Sequence, residues 1–157
     1  MFPGRENAWV WWYSEGMSCR YLTFLTLFLS AAPLLAEPLS IAVGWIRESI
    51  PGQTVTAAYP QIANSGDRDC SLTGASAEVA GRVEIHEHQH SDGQMRMRQL
   101  DSLTIPAQGV RVFEPGGLHL MLLDLRRPLV QGEELTLTFS SGNCGEFSAN
   151  LSVKSTQ

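Results

Sequence analysis

The chain has 157 residues, 11 Lys+Arg against 16 Asp+Glu, and a net charge of −5 at pH 7. That length fits one domain with at most an appendage. The acidic balance gives no reason to expect nucleic acid as a partner, since a phosphate-binding surface needs clustered positive charge.

The first element is an export signal. From Met17 the sequence reads MSCRYLTFLTLFLSAAPLLAEP, with Arg20 ahead of an apolar run that opens at Tyr21 and small residues before Glu37. A basic start, a short apolar run and a small residue at the cut describe a secretory signal peptide, with cleavage expected after Ala36. The run is interrupted by Pro33 and is shorter than the roughly 20 residues that span a bilayer. Membrane contact is therefore expected only through the signal. Residues 1–16, with three of the four tryptophans, precede a complete signal, and the simplest reading starts the protein at Met17. The expected division is residues 1–36 as upstream extension and signal, and residues 37–157 as a single domain.

Cys19 lies ahead of the apolar run and is not placed for lipid attachment. Cys70 and Cys144 then form one even pair in an oxidising compartment, which predicts a disulfide.

Past the signal, no long segment shows the three-and-four apolar spacing of a helix. Short alternating runs predict strands at 39–48, 54–64, 71–78, 82–90, 94–105, 109–116, 118–125, 134–141 and 146–154. They are punctuated by turn residues such as Pro51-Gly52, Asp92-Gly93, Pro115-Gly116-Gly117 and Gly142-Asn143. About nine strands with such breaks predict an all-β fold, a β-sandwich with Greek-key connections. Pro60 inside a run suggests an edge strand or a bulge.

The chemistry is concentrated in GRVEIHEHQHSDGQMRMRQ and PGGLHLMLLDL, which hold all four histidines and Met95, Met97 and Met121. Residues two apart in a strand share a face, so His119 and Met121 reach one ion together. Asp92-Gly93 reads as a hairpin turn. A two-residue turn sets His88 opposite Met97 with His86 as its diagonal neighbour; a three-residue turn brings the arginines beside the histidines instead. Thioether sulfur selects Cu(I), and imidazole accepts Cu(I), Cu(II) or zinc. Zinc sites use Cys, His and carboxylate rather than Met, and the clustered oxygens of a calcium site are missing from the sequence. A blue-copper electron carrier needs a Cys between histidines, and no histidine follows Cys144. Ordinary core packing explains a lone Met, but not this interleaving of His and Met.

The sequence resembles the PCu(A)C-type periplasmic copper chaperones, whose signature is a His, ten residues, a Met, twenty-one residues, then His-x-Met. His86, Met97, His119 and Met121 fall on all four positions. The resemblance extends to GWIRES, TAAYPQIANSGD and IPAQGVRVFEPGGLHLMLLDLRRPLVQGE. It implies a cupredoxin-like barrel or sandwich, a periplasmic location and one Cu(I) held by those four residues. It also implies delivery to an acceptor protein, a cytochrome c oxidase subunit under assembly or another copper carrier. The segment after the first ligand departs from the family in carrying His88 and His90, read as solvated residues at the mouth of the site rather than as a second, Cu(II)-preferring contact. No nucleophile, paired carboxylates or open metal position with a base marks an enzyme. Copper storage or buffering, and a β-sandwich interaction module with incidental histidines, stand as the alternatives.

Overall fold

The computed structural model describes residues 37–91 and 94–155; the expectations for the signal and the start at Met17 lie outside the described residues. All regular structure among these residues is β. The strands are β1 (Leu39–Arg47), β2 (Val55–Asn64), β3 (Cys70–Ala77), β4 (Arg82–Ser91), β5 (Gln94–Leu100), β6 (Leu103–Ile105), β7 (Val110–Val112), β8 (Leu118–Leu123), β9 (Glu134–Ser141) and β10 (Gly145–Lys154).

Their lateral order is β5-β4-β8-β2-β1-β10-β9-β3-β6, with β7 on β2. A further pairing of Ala75 in β3 with Val83 in β4 closes the sheet on itself. Only β1 and β10 run parallel; every other pairing is antiparallel. Because β2 lies beside β8 and β3 beside β9, neighbours in space are distant in sequence. That is the predicted Greek-key, cupredoxin-like barrel.

The core follows the period of two. Leu135, Leu137 and Phe139 of β9 lie beside Phe147, Leu151 and Val153 of the neighbouring strand β10 and are buried with them, with Phe139 and its cross-strand partner Phe147 stacked at 4.9 Å between centroids. On the far side of the barrel, Val83 and Ile85 of β4 and Leu120 and Leu122 of β8 are buried. Alternation sends the residues between them to the opposite face, and those residues are Glu84, His86, His119 and Met121.

Two expectations about elements change. The run 94–105 is two strands, because β5 pairs with β4 while β6 pairs with β3. The chain must leave one neighbour for another, and it does so at Asp101 and Ser102. Pro60 is not on an edge: β2 lies between β1 and β8, and Pro60 is buried opposite Gly44. On its other side β2 pairs with β8 through Val55–Ala58 and with β7 through Gln61–Ala63. The proline thus occupies the gap between two partners, where its missing N–H breaks no ladder. The alternative expectation, a bulge, is met beside it: the β1–β2 ladder shifts register between Ile41 and Val43, opposite Ile62 and Gln61 and next to Pro60.

Cys70 and Cys144 are disulfide-bonded, as expected, with Cα atoms 5.7 Å apart across 74 positions. The bond ties the start of β3 to the turn between β9 and β10.

Candidate metal centre

Three adjacent strands bring the His and Met residues to one face. In the β4–β8 pair, His86 is opposite His119 and Glu84 opposite Met121. In the β4–β5 pair, Ser91 meets Gln94 and His88 meets Met97. This is the register of a two-residue turn, so the arginines of β5 fall on the other face. His86, His88, Met97, His119 and Met121 therefore share one side of the sheet.

His88, Met97, His119 and Met121 line a single cleft of about 260 Å³. Tyr59 and Arg47 form part of its wall. Tyr59 packs against Trp45 at 4.6 Å between ring centroids, and the Arg47 guanidinium lies over the Tyr59 ring at 5.9 Å. Met97 is 51 % exposed, so the β5 side of the cleft is open to solvent.

His119 is the best-determined donor. It is 4 % exposed, and its Nδ1 donates to the Gly117 carbonyl at 3.0 Å. With the proton fixed on Nδ1, the lone pair belongs to Nε2. Burial pushes its pKa below the ordinary value; the Gly117 hydrogen bond opposes that shift, and the His88, His86 and Arg47 charges add to it. His119 is thus held in the neutral form a metal requires. The Gly116-Gly117 turn makes this possible: Gly116 takes φ +81°, and Gly117 N donates to Glu114 O at 3.0 Å.

His86 does not line the cleft, although its ring centroid is 5.9 Å from that of His119. Its Nε2 donates to Glu84 Oε2 at 2.9 Å, and its Nδ1 is buried with no hydrogen-bond partner. A carboxylate or carbonyl on one ring nitrogen, leaving the other free, is how proteins orient a metal-ligating histidine. Both His86 and His119 show it. Glu84 was missed in the sequence, where the Glu-x-His spacing two residues apart was the available signal. Arg47 and Tyr59 carry no local signal; only the β1–β2–β8 pairing reveals them.

His88 departs from the expectation of a solvated residue. It is half-buried, its Nδ1 is buried and unpartnered, and its ring lies 4.9 Å from His119. The side chain of His90 lies outside the description. Among the described residues, no three His, Cys, Asp or Glu side chains are grouped to hold a metal ion. Any site here must recruit thioether sulfur, which fits a soft ion and not zinc or calcium.

The model of the family described as "Putative lipoprotein LpqE-like" matches residues 39–153, which take in all ten strands but for the last residue of β10. The chain belongs to this family. A Leifsonia xyli subsp. xyli relative named "Putative lipoprotein Lxx21020" is 31% identical over 111 residues, covering 69% of this chain and 66% of that protein. Among solved structures, the apo PCuAC domain from PmoF1 superposes with a TM-score of 0.64 at 23% identity, over 76% of this chain and 95% of that one. The solution structure of CuI-DR1885 from Deinococcus radiodurans gives 0.62 at 30% identity, over 74% and 78%. The LpqE-like chain therefore shares the barrel of PCuAC domains, in keeping with the resemblance its His and Met spacing suggested.

Proposed function

We propose that this LpqE-like protein is an exported copper chaperone that carries one Cu(I) as cargo, held by His86, Met97, His119 and Met121. The observation that carries the reading is the cleft, where Met97, His119 and Met121 from two non-consecutive strands face one space. Support comes from the neighbour solved with Cu(I) and from the lipoprotein name of the Leifsonia relative, which fits export.

The donor set suits a carrier rather than a catalyst. Two imidazoles and two thioethers are neutral, so the cargo keeps its charge and is held without a thiol that an oxidising compartment would destroy. Glu84 and the Gly117 carbonyl orient the two rings, while the exposed Met97 is the donor most easily displaced. An acceptor's own soft donor enters there, and the ion passes by ligand exchange. The acceptor is a cytochrome c oxidase subunit under assembly or another copper carrier.

Cu(I) competition against a chromophoric chelator tests this. The purified protein should remove one tightly held equivalent; a chelator that keeps all its copper would rule the chaperone out.

A further inference from the structure

The His-x10-Met-x21-His-x-Met signature leaves His88 without a role. His88 is the direct cross-strand partner of Met97. Its ring is nearer to His119 than that of His86, at 4.9 Å against 5.9 Å. It lines the cleft with Met97, His119 and Met121, which His86 does not. Its backbone N–H donates to the Gly117 carbonyl at 3.3 Å, the same oxygen that orients His119. Its Nδ1 is shut off from water with nothing to bond. A buried ring nitrogen without a partner is an uncommon state that a bound ion relieves.

We propose that His88 is a further copper donor and that it lets this cleft hold Cu(II) as well as Cu(I). The inference rests on the copper reading above and adds the second oxidation state. Thioethers favour Cu(I), whereas imidazole serves both states. Two imidazoles with two thioethers lose much of their hold once the ion is oxidised. The three rings are not grouped around one point in the described residues, so the His86 ring has to turn into the cleft when Cu(II) binds; a third imidazole, from His88, then supplies the nitrogen that Cu(II) prefers, and copper oxidised in transit stays bound. Arg47 on the cleft wall repels a divalent ion about twice as strongly as a monovalent one, and Cu(I) remains the preferred cargo.

The test compares the unmodified protein with His88→Asn and, as a control on the neighbouring position, His90→Asn. Cu(I) and Cu(II) affinities are measured by chelator competition, and nitrogen donors are counted from the hyperfine pattern of the Cu(II) electron paramagnetic resonance spectrum. The expected result is a three-nitrogen spectrum that H88N reduces to two, with Cu(II) affinity falling roughly tenfold or more and Cu(I) affinity falling by a smaller factor. A far-ultraviolet circular dichroism spectrum matching that of the unmodified protein shows that H88N is folded. An unchanged nitrogen count and Cu(II) affinity in H88N, with tight Cu(I) binding intact, overturn the role of His88 alone. An unmodified protein that binds no Cu(I) overturns the copper reading itself. Loss of the third nitrogen in H90N but not H88N assigns it to the wrong histidine and also overturns the proposal.

Discussion

His119 illustrates how one buried imidazole couples chemistry to stability. Its ordinary value is 6.5, and burial lowers it in the folded protein. Between the two values the unfolded chain binds the extra proton and the folded chain does not, so stability falls as pH falls through this window. The urea midpoint of the apoprotein should therefore be lower at pH 5.5 than at pH 7.5, and His119→Gln should flatten that slope. An H119Q slope equal to that of the unmodified protein would remove His119 as the cause. The thioethers make a second residue-level prediction. Met97→Ala with Met121→Ala should weaken Cu(I) roughly a hundredfold or more while Cu(II), held by imidazole, changes far less. Chelator competition in both oxidation states reads the difference, and undiminished Cu(I) affinity would take sulfur out of the site.

At the scale of elements, the hairpin of β4 and β5 sets the ligand register. One glycine inserted between Asp92 and Gly93 makes a three-residue turn and slips β5 by one position. Period two then sends Met97 to the other face and brings Arg96 or Arg98 beside the histidines. Cu(I) affinity should fall at least about tenfold, while the unfolding midpoint moves little, because nearly all of β5 is exposed. Unaltered Cu(I) binding would mean that Met97 is not a ligand. This hairpin also shows what was legible in the sequence. Alternation and Asp92-Gly93 are local, so the strands and the two possible registers could be read directly. The break at Asp101 and Ser102 could not, because it depends on β5 and β6 taking different neighbours. For the same reason Pro60 misled as a sign of an edge, although a bulge does lie beside it: its tolerance comes from the handover between β8 and β7. His86 and His88 are separated in role by Glu84 and by the Gly116-Gly117 turn, neither of which the ligand spacing reports.

Across the whole molecule, the barrel is closed by β3 against β4 and fastened by the disulfide. Neither cysteine lines the cleft. Cys70→Ser with Cys144→Ser reopens a loop of 74 positions, which the chain-entropy model values at about 4 kcal/mol. For a domain of this size that lowers the melting temperature by on the order of 15 °C. Calorimetry should show the drop while Cu(I) affinity at 25 °C is retained; a parallel loss of copper would mean that the fastening shapes the cleft. The division of labour along β4 and β8 has a longer reach. Val83, Ile85, Leu120 and Leu122 hold the interior, and of their alternating neighbours only His119 is itself buried. Descendants of this chain are thus free to exchange a sulfur for a nitrogen, or a nitrogen for a sulfur, by single codon changes. No step along that route, the buried His119 excepted, disturbs the packing of the interior.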